Sequence, residues 1–86
     1  MTDLYEVRVE ERVVKELRRY RRDISLRLIC AIESLSSNPR PRGARKLVDQ
    51  PGWRIRVGDY RVLFEVDDAS RVVTVYRAGH RSDVYR

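Results

Sequence analysis

The pair Gly58-Asp59 constrains this chain more than any other feature. It separates two runs of alternating residues, Trp53–Val57 and Tyr60–Glu65. A Gly-X pair between such runs seeds a two-residue hairpin loop of type II′. Counting outward from that loop sets Val57 opposite Tyr60, Arg56 opposite Arg61, Ile55 opposite Val62, Arg54 opposite Leu63 and Trp53 opposite Phe64. Because side chains alternate across a strand, this register sorts the hairpin into two faces. Trp53, Ile55, Val57, Tyr60, Val62 and Phe64 share a face that belongs on a core. Arg54, Arg56, Arg61, Leu63 and Glu65 share the other. There Arg56 stands directly across from Arg61, a like-charge pairing that costs stability and suits a bound anion.

A second hairpin is expected to turn through Asp67-Asp68-Ala69-Ser70, placing Val66 opposite Arg71, Phe64 opposite Val73 and Val62 opposite Val75. On the other face Leu63 would meet Thr74 and Arg61 would meet Tyr76. The open face would then carry Arg54, Arg56, Arg61, Glu65, Thr74 and Tyr76. A bulge in the third strand would move Tyr76 across. The basic tail Gly79–Arg86 leaves from the end of that strand.

Upstream, Leu4–Val9 alternates as a strand, with Tyr5, Val7 and Val9 on one side. From Glu10 the period becomes helical, with Val13, Val14, Leu17 and Tyr20 as the stripe. Glu10 and Glu11 fall in the first turn and Arg18–Arg22 in the last, as the helix dipole favours. Asp23 reads as the N-cap of a second helix with Ile24, Leu28, Ala31, Ile32 and Leu35 facing inward. Cys30 lies in this helix with nothing near it in sequence to activate it. Ser36–Gly43 is a loop, and Ala44–Val48 a short extended piece. The order β-α-α-β-β-β implies an α+β fold. An N-terminal helical hairpin would pack on one face of a small, largely antiparallel sheet and leave the other face open. Residues 1–86 read as one domain with one modest core.

Charge sharpens the picture. The chain carries 19 basic and 13 acidic side chains, a net charge of +6. The excess lies late, with 8 basic against 7 acidic residues in 1–39 and 11 against 6 in 40–86. Only Lys15 and Lys46 are lysines; every other basic residue is arginine, which favours planar, bidentate contacts to phosphate or carboxylate. Such a balance fits a nucleic-acid binder or the receptor of an acidic protein segment. One cysteine, Cys30, and one histidine, His80, exclude an internal disulfide and a Cys/His metal cluster. No segment approaches the roughly 18 apolar residues of a membrane span, and the N-terminus has no apolar leader, so a cytosolic location is expected.

Metal-free phosphoryl transfer needs cations around the phosphate, a base for the attacking hydroxyl and an acid for the leaving oxygen. Arg54, Arg56, Arg61 and Arg81 can supply charge but not the base, because guanidinium stays protonated. His80 and Tyr85 are the titratable candidates, with Glu65 a distant third. Taken singly, a histidine or tyrosine near a terminus is ordinarily a surface or packing residue.

The combination carries more weight. The helical hairpin followed by W-R-I-R-V-G-D-Y-R-V-L-F-E-V and R-V-V-T-V-Y-R-A-G-H-R-S-D-V-Y-R resembles the RelE toxins of the RelE/ParE superfamily over nearly the whole chain. The resemblance implies a toxin paired with an antitoxin, which would bind the basic face and tail through an acidic, partly disordered segment. It also implies entry into the ribosomal A site and cleavage of messenger RNA by its own 2′-hydroxyl, with no metal or cofactor. Residue by residue, it places the phosphate-binding arginine on Arg61, the second arginine on Arg81, and the base-stacking or proton-abstracting tyrosine on Tyr85. His80 remains the alternative base. The basic strand residues fall on Arg54 and Arg56, with Lys46 as a further RNA contact. The chain departs from the pattern in having arginines at strand positions that are lysines in other members, a short tail, and His80 where some relatives have lysine. A ParE-like inhibitor of DNA gyrase and a non-catalytic RNA- or partner-binding module of the same fold are the alternatives.

Overall fold

The computed structural model describes residues 4–85. Residues 1–3 and Arg86, the last residue of the expected tail, lie outside the described part. The elements are β1 (Glu6–Val9), α1 (Glu11–Arg18), α2 (Arg22–Ser34), β2 (Arg45–Lys46), β3 (Trp53–Val57), β4 (Tyr60–Asp67) and β5 (Val72–His80). The five strands form one sheet in the order β1-β5-β4-β3-β2, antiparallel except for the β1–β5 pair. This is the α+β arrangement expected, two helices on one face of a small sheet.

The first hairpin has the register that counting predicts, from Val57 opposite Tyr60 to Trp53 opposite Phe64. Gly58 takes φ 61°, while Asp59 stays out of the positive-φ region. A positive φ at the first loop residue alone defines the type II′ turn. Val13, Leu28, Ile32 and Leu35 from the helices pack against Ile55, Val62, Phe64, Val73, Val75 and Ala78, and all ten are buried. Trp53, Val57 and Tyr60 pack at the margin of this core, so the hairpin's apolar face lies where its alternation puts it.

Three local expectations are corrected. The first helix ends at Arg18, and Asp23 is not a cap but lies in the first turn of α2, whose N-cap position is Arg21. The side chain that closes the junction is Ser25, whose hydroxyl donates to the Leu17 carbonyl at 2.6 Å and reaches the Tyr20 carbonyl at 3.4 Å. The second hairpin is displaced by two residues. Phe64 pairs with Val75, Glu65 with Thr74 and Asp67 with Val72, so Asp67 stays in the strand. Asp67 Oδ1 accepts the N–H groups of Ala69 and Ser70, and Arg71 completes the turn at φ 56°. A shift of two preserves the faces.

Between Leu63 and Phe64 the register slips once more, so that Leu63 pairs with Arg77, Val62 with Ala78 and Arg61 with Gly79. Tyr76 is the extra residue of this bulge. It does not meet Arg61 as the count anticipated; its hydroxyl donates to the Pro51 carbonyl at 2.9 Å. Nor is the second face wholly open. Leu63, on the arginine face, has no exposed surface, and Val84 in the tail retains 2%. The tail turns back on itself, with Asp83 and Val84 N–H both bonded to the His80 carbonyl.

Beyond Val75, β5 outruns the short β1 and presents an unpaired edge, which α1 closes. Glu16 accepts the Ala78 N–H at 3.1 Å and Arg77 Nε at 2.9 Å, and the Tyr20 hydroxyl accepts the His80 N–H. Arg77 also donates to the Asp83 carbonyl, tying the tail to the same junction.

Candidate active site

Strand pairing concentrates the expected cations on one sheet face. Arg56 lies across from Arg61 on the next strand, and Arg61 lies across from Gly79. The backbone N–H of Arg81 donates to the Asp59 carbonyl at 2.9 Å, so Arg81 begins beside the β3–β4 turn. Arg56, Arg61 and Arg81 are therefore gathered at that end of the sheet. Arg61 Nη1 donates to the Gly58 and Tyr60 carbonyls, each at 2.9 Å. Among the described residues its Nε and Nη2 have no partner, so most of its donors face outward for an anion.

Arg54 stands one alternation further along β3, across from Leu63, and on its other side across from Arg45. Lys46 is across from Trp53 instead, which puts it on the helix-bearing side. Arg45 is the β2 residue that joins Arg54. Arg42, Arg45, Arg54 and Arg56 line a groove of about 300 Å³. Sequence reasoning passed over Arg42 and Arg45, since a two-residue strand after a loop gives no alternation to count.

The titratable candidates diverge. His80 pairs with Tyr60 at the end of β5, and its ring meets Tyr60 edge-on at 5.5 Å, with Tyr20 edge-on to Tyr60 at 5.1 Å. His80 is thus on the Tyr60 side of the sheet, not the Arg61 side. Its Nδ1 accepts the Ser82 N–H at 3.2 Å and lies 2.8 Å from the Ser82 hydroxyl. These contacts hold the ring against the turn that carries Arg81. Tyr85 is 46% exposed and lies beside Leu47–Gln50, the segment entering β3. That segment leads to the Trp53 end of β3, whereas Arg56 and Arg61 face each other three residues, roughly 10 Å, further along the strand. Glu65 is exposed on the arginine face. It and Tyr85 lie near Tyr76, whose phenol is pushed above its usual range, first by burial and then by these two neighbours.

A second cluster braces the groove. Arg40 holds Asp68 through two bonds of 3.1 and 2.8 Å, and the Tyr5 hydroxyl donates to the same carboxylate at 2.6 Å. The Arg40 guanidinium also lies 5.2 Å above the Trp53 ring. These contacts fasten the loop after α2 to the sheet. Among the described residues no group of His, Cys, Asp and Glu side chains could hold a metal, and no helix is long and apolar enough to cross a membrane.

A helical hairpin on one sheet face, with arginines gathered on the other, is the architecture of a small toxin of the RelE/ParE type. Residues 5–85 match the family described as the ParE toxin of type II toxin–antitoxin system, parDE, and the chain belongs to that family. Among solved structures it is similar to a RelBE2 toxin–antitoxin complex from Mycobacterium tuberculosis, with 27% identity, TM-score 0.79, and 91% of this chain and 99% of that chain covered. An archaeal RelE–RelB complex from Pyrococcus horikoshii gives 26% identity, TM-score 0.77, and coverage of 96% and 99%. The isolated RelE toxin of E. coli gives 29% identity, TM-score 0.73, and coverage of 94% and 90%. No curated protein matches the chain. The protein is thus a toxin of the RelE/ParE superfamily, of the type II toxin–antitoxin class.

Proposed function

We propose that this toxin is a cytosolic, ribosome-dependent endoribonuclease that cuts messenger RNA through attack of the RNA's own 2′-hydroxyl on the adjacent phosphate. The observation that carries the reading is the meeting of Arg56, Arg61 and Arg81 at the β3–β4 turn. In the reaction the 2′-hydroxyl gives up its proton to a base and its oxygen bonds to phosphorus. The P–O5′ bond breaks, the 5′-oxygen takes up a proton to leave as a hydroxyl, and a 2′,3′-cyclic phosphate remains. Negative charge grows on the phosphate oxygens as the hydroxyl attacks, and fixed guanidiniums stabilise that charge more than they stabilise the ground state. Arg61 and Arg81 fill this role, with Arg56 alongside.

Tyr85 is the side chain proposed to act on the nucleotide itself, by stacking on its base or taking the 2′-proton. His80 is a positioning residue, since its Nδ1 holds the Ser82 N–H of the turn that carries Arg81. The cognate antitoxin would silence the enzyme by laying acidic side chains on the arginine face.

The family match to ParE toxins gives weight to a second reading, inhibition of DNA gyrase by binding. One experiment separates the two. The toxin is induced in bacteria and message 5′ ends are mapped on translating ribosomes, with Arg81→Ala alongside. New ends within codons that disappear in the variant support the nuclease. Growth arrest with DNA-damage signalling and no new ends would replace it with the gyrase reading.

A further inference from the structure

We propose that Tyr20 is a positioning residue for the cleavage reaction, fixing from the helix-bearing side of the sheet where Arg81 stands relative to Arg61. The proposal rests on the nuclease reading above and adds a side chain that touches neither message nor phosphate.

Arg61 and Arg81 are held by two strands at the point where those strands stop pairing. Arg61 lies across from Gly79, and Tyr60 across from His80, the last pair of the β4–β5 ladder. Arg81 is the next residue, already in the turn, and its N–H is tied to the Asp59 carbonyl. Adjacent strands stand about 4.8 Å apart, so peeling of β5 from β4 at His80 would carry Arg81 away from Arg61. On its other edge β5 has no strand at this level, because β1 ends at Val9, across from Val75.

Tyr20 occupies that edge. Its hydroxyl accepts the His80 N–H at 3.2 Å, and its ring meets Tyr60 edge-on with centroids 5.1 Å apart. One side chain thus touches both members of the last pair, the residues that precede Arg61 and Arg81 in sequence. The fit is close, since a Cβ added to Gly79 would stand 2.7 Å from the Tyr20 oxygen. Tyr20 is itself fixed from behind. Its N–H bonds to the Leu17 carbonyl at 3.3 Å, and the Ser25 hydroxyl reaches both the Leu17 and the Tyr20 carbonyls. The helical junction therefore sets the height of the hydroxyl, and the hydroxyl sets the last backbone donor before Arg81. Two guanidiniums stabilise developing phosphate charge best when their separation is fixed before the substrate arrives.

The test is Tyr20→Phe, which keeps the ring against Tyr60 and removes only the acceptor of the His80 N–H. Single-turnover cleavage of a ribosome-bound message is measured over a range of toxin concentrations. The rate at saturation should fall by about ten- to a hundredfold, as a misplaced group implies. The half-saturating concentration should stay within about threefold, because no contact to RNA is lost. In an Arg81→Ala background the same substitution should change the residual rate by less than about twofold, since the group it positions is gone. Ser36→Ala serves as the structural control. It removes a hydroxyl bond to the Tyr5 carbonyl. It should lower the melting temperature about as much as Tyr20→Phe, by roughly 4–8 °C, and leave the rate unchanged.

A second readout needs no chemistry. Hydrogen exchange at the Arg81 amide should be about tenfold faster in Tyr20→Phe and unchanged in Ser36→Ala. An unchanged cleavage rate in Tyr20→Phe would overturn the proposal. So would an equal fall with Arg81→Ala present, or an equal fall in Ser36→Ala. A wild type that cuts no message would remove the nuclease reading, and Arg81 exchange would then decide alone whether Tyr20 sets the place of that arginine.

Discussion

Arg61 holds itself in place by leaning on its own turn. With Nη1 bonded to the Gly58 and Tyr60 carbonyls, the guanidinium is oriented before any ligand arrives. Those two carbonyls can bond water when the side chain is removed, so Arg61→Ala should change stability by less than about 1 kcal/mol. Toxicity should nonetheless fall by two or more orders of magnitude, the typical effect of deleting a donor aimed at developing charge. Growth assays paired with thermal melts decide this; loss of toxicity through unfolding would count against the placement. Asp68 offers a contrasting residue-level case. The hydrogen bond from Arg40, and after it that from Tyr5, hold its carboxyl down to about 2. An aspartate in the unfolded chain titrates near 3.9. The folded state therefore releases this proton more readily, and the contact contributes fully above about pH 4 and fades as pH falls through 2. Asp68→Asn should lower the melting temperature at neutral pH, with the gap to wild type closing on acidification through that window. A gap that stays constant with pH would show that the charge of Asp68 is not what the loop relies on.

At the scale of elements, the first hairpin was legible because a two-residue loop leaves no freedom in the count. Gly58-Asp59 names its turn type, and all five pairs follow. The second hairpin lacked such a marker. A four-residue loop could be framed two ways, and nothing in an arginine announces that Arg71 will adopt φ 56°. A bulge that moves Tyr76 could be allowed for but not fixed from the residues, since V-V-T-V-Y-R alternates well enough to pass for regular strand. Long-range closure of the β5 edge left no trace either, because Glu16 reads as one more charged residue on a helical surface. Its carboxylate takes both the Ala78 N–H and Arg77 Nε in a partly buried setting, with 16% of the Glu16 side chain exposed. Glu16→Ala would strand the Ala78 backbone donor and take the carboxylate from Arg77, which keeps its bond to the Asp83 carbonyl, so it should destabilise by about 2 kcal/mol. Urea denaturation measures this directly. A loss below about 0.5 kcal/mol would mean that water replaces the carboxylate without penalty.

Over the whole molecule the sheet divides the work. The helix-bearing face supplies the core, and the other carries the arginines, a division that follows from the alternation of W-R-I-R-V and Y-R-V-L-F alone. What alternation could not reveal is that the tail returns across the arginine face. Val84, four residues after the end of β5, retains 2% exposure, and a Cβ added to Gly79 would stand 3.2 Å from its Cγ1. Leu63 on the same face is fully buried as well. The segment that bears Arg81 and Tyr85 is therefore held down by packing, and its last side chains can be separated by consequence. Val84→Ala removes two buried carbons and should cost about 2 kcal/mol, loosening the tail along with the fold. Tyr85→Phe removes only a hydroxyl from a residue that is 46% exposed, and should leave stability unchanged. If the hydroxyl takes the 2′-proton, Tyr85→Phe abolishes message cutting; if the ring only stacks on a base, cutting persists and Tyr85→Ala is the variant that fails. Thermal melts with ribosome-bound cleavage assays on all three variants tell these cases apart. An inactive but stable Val84→Ala would show that the tail's position, more than its chemistry, limits the reaction.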